Sequence, residues 1–180
     1  MLYTDRLLYQ RNKLMSNKIN QLQDSLGNLI NIASRTIRKY FNQELMRKGY
    51  SVTGEQFDVL VRLWDKDGQH QKSLAKTLCK DKTTVTRLIK SVEALNLVKR
   101  VTNKQDGRQK LVYLTKSGKK IMKELTSLSK EILVKAQKGI APADIAICKD
   151  VLRRVHETLS KELNLQQKLI SLFSELPRNH

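Results

Sequence analysis

The apolar period of this chain switches after Asn96 and switches back at Lys116, and this double change restricts the fold more than any other feature. Before Asn96 the aliphatic residues fall at steps of three and four, the spacing of one helix face. Then "LVKRVT" and "QKLVYLT", short, β-branched and partly aromatic, flank the polar loop "NKQDGR" with its Asp-Gly turn signal. That pattern predicts a β-hairpin with a longer-than-minimal tip. From Lys116 helical spacing returns at Ile121, Leu125, Leu128, Ile132 and Leu133, and Gly139 and Pro142 break it. A last long helix carries Ile145, Cys148, Val151, Leu152, Val155, Leu159, Leu163, Leu169, Ile170 and Phe173. The fold class is therefore mainly α with one small hairpin.

Upstream, residues 20–47 place Leu22, Leu26, Leu29, Ile30, Ala33, Ile37, Tyr40, Phe41 and Leu45 on one face, and Gly49 ends the run. Thr53 with Gln56 three residues on forms a capping box for a second helix. Phe57, Leu60, Val61 and Trp64 are its expected buried stripe, and Gly68 stops it. A short third helix turns Leu74, Ala75 and Leu78 inward, and Asp81 caps a fourth over 82–95. Residues 53–114 thus form a compact unit bracketed by long helices at 20–52 and 115–176. The apolar faces of those outer helices exceed what the central unit can cover. They pack either into one larger domain or against a second copy across a two-fold axis. Residues 1–19 read as an N-terminal extension, either a short extra helix or a segment ahead of a start at Met15. Their broken apolar pairs do not make a signal peptide.

Charge narrows the partner. The chain has 35 Lys and Arg against 17 Asp and Glu, a net +18, which calls for a polyanion: nucleic acid first, an anionic membrane second. No apolar run is long enough for a membrane span, so no membrane role is expected. Aromatic residues make up only 5%, which favours duplex binding over base-stacking on single strands. Residues 82–120 hold 11 cations and two acids, half of the net charge in 39 residues.

That basic stretch begins with the fourth helix, "KTTVTRLIKSVEAL". At about 100° per residue, Val85, Leu88, Ile89, Val92 and Leu95 cluster on one side. Thr83, Arg87 and Lys90 point the other way, with Thr84 and Thr86 on the flanks. An ordinary solvated helix face has the same composition. The charged hairpin that follows makes it read instead as a helix for the major groove and a loop for the minor groove. Arginine can grip guanine bidentately, and threonine can meet a thymine methyl or a phosphate.

The strings "EQFDVLVRLW", "LAKTL", "KTTVTRLIKSVEALNLVKR", "DGRQKLVYLT" and "SGK" stand in order over residues 53–120, and the outer helices extend the match to about 20–165. On these, the chain resembles the MarR family of bacterial winged helix-turn-helix transcription regulators. The resemblance implies a homodimer on a pseudo-palindromic double-stranded DNA operator. It implies a recognition helix at 82–95 with Thr83, Thr84, Thr86, Arg87 and Lys90 on DNA, and outer helices that dimerise. "DGR" matches the family's wing motif, making Arg108 the minor-groove arginine, with Asp106 orienting it or a neighbouring cation. Lys104 and Lys110 on the same hairpin are expected on phosphates. His70 departs from the family pattern, standing where many members have a Ser or Thr cap on the third helix.

Such proteins often sense small aromatic or lipophilic molecules between the dimer helices and the reading head. Tyr40 and Trp64 are the candidates here, with core packing as their alternative. Relatives that sense peroxides use a cysteine near the start of the first helix, and this chain has none there. Cys79 and Cys148 belong to no C-x-x-C and have no histidine at metal-ligand spacing. They read as reduced thiols of a cytoplasmic protein, and no metal or cofactor is expected. No catalytic motif is present, so the chain is not expected to be an enzyme. The function expected is a DNA-binding repressor. The alternatives are a non-specific basic architectural or RNA-binding protein and a winged-helix protein-interaction module.

Overall fold

The computed structural model describes residues 21–102 and 110–174. Within them lie six helices and three strands: α1 (Leu26–Arg47), α2 (Gly54–Asp65), β1 (Gln69–His70), α3 (Gln71–Thr77), α4 (Lys82–Ala94), β2 (Val98–Thr102), β3 (Lys110–Leu114), α5 (Lys116–Ala136) and α6 (Pro142–Ser174). The chain divides into two compact units. The first reaches Leu133, and the second starts at Val134 with the end of α5 and all of α6. The N-terminal extension expected over 1–19 lies outside the described residues.

The helix termini follow from sequence. Thr53 accepts from the Gln56 N–H while the Gln56 side chain accepts from the Thr53 N–H, the reciprocal box expected for α2. Asp81 caps α4 by accepting from the Thr84 N–H at 2.8 Å. His70 occupies the cap position of α3 and makes no side-chain cap bond, so α3 starts without one. The sequence reading ran one helix through 20–47, whereas Ser25 interrupts it. Its hydroxyl donates to the Leu22 carbonyl at 2.7 Å and accepts from the Asn28 N–H, ending one turn and starting α1.

In the first unit, α2 is central and packs against α1, α3, α4 and β3. Val59, Leu60 and Leu63 are fully buried, Phe57 and Val61 partly so, and Trp64 is 45% exposed. The expected stripe through Trp64 is thus corrected. A helix covered from several sides buries more than one row, and Trp64 falls off the covered arc near the C-terminal end. The Arg38–Asp58 ion pair at 2.9 Å, a bond from the Gly54 N–H to Asn42 Oδ1 at 2.7 Å, and the Phe41 and Phe57 rings 5.0 Å apart join α1 to α2.

The sheet has the order β1-β3-β2 and is antiparallel throughout. Val98 pairs with Leu114 and Thr102 with Lys110, so the hairpin lies where the change of period put it. Val98, Val112 and Leu114 turn into the core. β1 was not anticipated: Gln69 pairs with Val112 and His70 with Leu111, closing the inner edge of the hairpin. Asp67 holds this corner by accepting from the Leu114 N–H at 2.9 Å and pairing with Lys119 at 3.3 Å. Gly118 in α5 is obligatory for the next step of the chain. A Cβ there would meet the Leu97 carbonyl oxygen at 2.0 Å.

In the second unit, α6 presents Ile147, Leu159, Leu163, Leu165, Leu169 and Ile170 to solvent. No described helix is long and apolar enough to cross a membrane.

Candidate nucleic-acid interface

Helix α4 carries the site, and three sets of contacts fix how it is turned. Val85, Leu88, Ile89 and Val92 are buried and set its inner face. On one side, the Gln56 amide donates to Ser91 Oγ at 2.9 Å, so the partner of Thr53 in the capping box of α2 also grips α4. On another, the Gln71 amide at the start of α3 donates to Thr86 Oγ1. The turn before α4 is tied to α2 by the Lys80–Glu55 pair at 3.1 Å. Cys79 in that turn has φ +50, and the Lys80 N–H reaches back to the Ala75 carbonyl at 3.1 Å, a helix-ending motif that usually has glycine at this place.

Held this way, α4 exposes Thr83, Arg87 and Lys90, the residues that helical geometry turned outward. Thr84 and Thr86 are half-buried on the flanks, as expected, but their hydroxyls are engaged within the fold. The Thr84 hydroxyl donates to Asp81 Oδ2 at 2.6 Å, and the Thr86 hydroxyl donates to the Lys82 carbonyl at 2.7 Å. Hydrogen bonds from the Thr84 hydroxyl and N–H hold the Asp81 carboxyl below its ordinary range.

The cations near α4 fall into two groups. Arg100 on β2 is committed to Glu93 on α4, and its hydrogen bonds hold the Glu93 carboxyl below the usual carboxylate range. Lys119 is committed to Asp67. Lys82, Arg87, Lys90, Lys99, Lys110, Lys116 and Lys120 make no ion pair among the described residues and remain available to an anion. Lys110 is exposed at the start of β3. Lys104, Asp106 and Arg108 lie outside the described residues.

A family model described as transcriptional regulator SarA/Rot matches residues 39–125, from within α1 to within α5. The HTH-type transcriptional regulator MgrA of Staphylococcus aureus is 31% identical over 118 residues, 66% of this chain and 79% of MgrA. The chain belongs to the MarR/SarA group of winged-helix transcriptional regulators. The fold agrees. S. aureus MepR, solved as a MepR–DNA complex, superposes with a TM-score of 0.66 at 26% identity, covering 74% of this chain and 98% of MepR. Bordetella bronchiseptica BpsR superposes with a TM-score of 0.67 at 25% identity, covering 74% of this chain and 94% of BpsR. The protein is accordingly a DNA-binding transcriptional regulator and not an enzyme.

The regulator's other candidates lie on other helices than α4. Tyr40 lies on α1 and Trp64 on α2, 39% and 45% exposed, so neither belongs to the buried core. Sequence reasoning read Gln56 only as the capping partner of Thr53 and did not single out Gln71 or Ser91, so it missed the bonds that set the rotation of α4. A polar residue on a helix flank carries no periodic signal that separates a tertiary bond from solvation. Cys79 and Cys148 are free and exposed.

Proposed function

We propose that this regulator acts as a homodimer that reads a pseudo-palindromic operator with α4 of each copy in the major groove, and that it represses by occluding a promoter. One observation carries the reading. Thr83, Arg87 and Lys90 form an exposed row on a helix held by contacts from two neighbouring helices, so its donors are preset before DNA arrives. Arg87 is assigned to a guanine edge, Lys90 and Thr83 to base or phosphate, and Thr84 and Thr86 to the margins of the groove. Arg108 is assigned to the minor groove at the hairpin tip with Asp106 orienting it, and Lys104 and Lys110 to phosphates. The protein would act in the cytoplasm, where a bacterial operator lies.

The dimer is supported by apolar surface. Leu26, Leu29 and Ile32 on α1 and Leu159, Leu163 and Leu169 on α6 are each about half exposed, a state a second copy would relieve. Residues 20–52 and 115–176 are assigned to dimerisation and 53–114 to DNA. Replacing Leu152 and Val155 together with Asp should give a monomer in sedimentation, because two charges would be desolvated at the seam. An unchanged dimer would remove α6 from the interface.

A small aromatic or lipophilic effector that binds beside Tyr40 or Trp64 and alters the spacing of the two reading helices is the proposed release. The exposed rings favour this over core packing. The solved work on BpsR concerns regulation of its DNA binding by 6-hydroxynicotinic acid. Selection from a random duplex library tests the whole reading. The expected product is an inverted repeat with half-site centres about 10 bp, or a multiple of that, apart. Recovery of no common sequence would favour non-specific binding, and recovery of no DNA a protein-interaction module.

A further inference from the structure

The hydroxyl of Thr86 is already used. Its proton goes to the Lys82 carbonyl at 2.7 Å, and the oxygen accepts from the Gln71 side-chain amide. A threonine oxygen has one proton and two lone pairs, so one lone pair is left, on an oxygen drawn toward α3 and its own helix backbone. The residue is nonetheless only half-buried. The group it can still offer outward is its methyl. Thr86 sits about 40° around the helix from Lys90 and about 60° from Thr83, beside the exposed row. Thr83 differs, since its hydroxyl has no partner among the described residues.

We infer that Thr86 reads DNA through its methyl group, against the C5-methyl of one thymine in each half-site, and that Gln71 is the positioning residue that turns the hydroxyl away. This rests on α4 being the reading helix. In the major groove a thymine differs from the other bases by its C5-methyl, and an apolar side-chain group is its natural partner. Without Gln71 the hydroxyl loses a donor that holds it and can rotate toward the groove, where it would accept a cytosine amino group as readily as it would tolerate a methyl. Gln71 thus acts on specificity from α3 without touching a base.

Methyl scanning tests this on the full-length protein. Each thymine of the selected half-site is replaced in turn by deoxyuridine, which lacks only the methyl group. Replacing the contacted thymine in one half-site should weaken the wild type about fourfold, the worth of one buried methyl, and replacing it in both about fifteenfold. Thr86→Ser, which loses the methyl from both copies, should bind the thymine operator as the wild type binds the operator with deoxyuridine in both half-sites, and should show no further loss on deoxyuridine. Thr86→Val, which keeps the methyl and lacks the hydroxyl, should keep both the affinity and the discrimination. Gln71→Ala, its fold checked by circular dichroism, should show a smaller thymine preference. Uniform tolerance of deoxyuridine by the wild type, or a Thr86→Val protein that binds as weakly as Thr86→Ala, would overturn the methyl reading. Full discrimination in Gln71→Ala would remove Gln71 from it. Arg87→Glu separates the layers: if it binds like the wild type, α4 is not the reader at all, whereas if it fails to bind while deoxyuridine is tolerated, only the methyl contact is wrong.

Discussion

The Leu97 carbonyl oxygen lies 2.0 Å from the point where a Cβ on Gly118 would sit. The same oxygen accepts from the Thr115 N–H at 3.0 Å, so it is fixed by the bond that docks the start of α5 onto the turn after α4. A backbone atom cannot move aside as a side chain can. Gly118→Ala should therefore cost about 3 kcal/mol or more, the upper end of overpacking effects. Urea denaturation measures it, and wild-type stability in that variant would mean that α5 does not start against this turn.

Arg100 and Lys99 are adjacent on β2, yet the structure gives them different work. Arg100→Ala breaks the pair with Glu93 and should lower stability by up to about 1 kcal/mol while leaving the salt dependence of DNA binding unchanged. Lys99→Ala should leave stability alone. If Lys99 meets a phosphate, its loss should lower the salt slope by about 0.9. Titration at several salt concentrations distinguishes the two, and a reduced slope for Arg100→Ala would mean that the pair opens on DNA.

The Asp81 cap gives the reading helix a pH dependence of known sign. Hydrogen bonds from Thr84 lower the carboxyl in the folded state, so its contribution is fully present above the unfolded value and is lost as pH falls through the folded value. Asp81→Asn keeps a capping oxygen without the charge. Its melting temperature should therefore fall less than that of the wild type as pH drops below about 4. Other carboxylates such as Glu93 titrate equally in both proteins, so the difference isolates Asp81. Parallel curves would show that the charge adds nothing to the cap.

Much of this was legible in the sequence because it depends on local rules. Thr53 with Gln56, Asp81, the hairpin strands and the outward row of α4 follow from capping chemistry and period. What stayed hidden depends on tertiary neighbours. β1 is two residues long, too short for any alternation, and exists because β3 offers it an edge. Trp64 was placed inside because a one-stripe template suits a helix packed on one side, and α2 is packed on several. Gln71 looks like a solvated glutamine, and Gln56 like a capping partner of Thr53 alone, until their partners on α4 are known.

The central claim is that α4 reads sequence rather than merely holding phosphate, and Arg87 tests it most directly. Equilibrium titration of wild type and Arg87→Ala against the selected operator and a random duplex, at one salt concentration, yields two affinity losses. The account predicts a loss on the operator of about 1–3 kcal/mol, the value of a bidentate base contact, and a clearly smaller loss on random DNA. Equal losses on both would contradict it, leaving Arg87 as a phosphate contact and α4 as a helix that binds DNA without reading it.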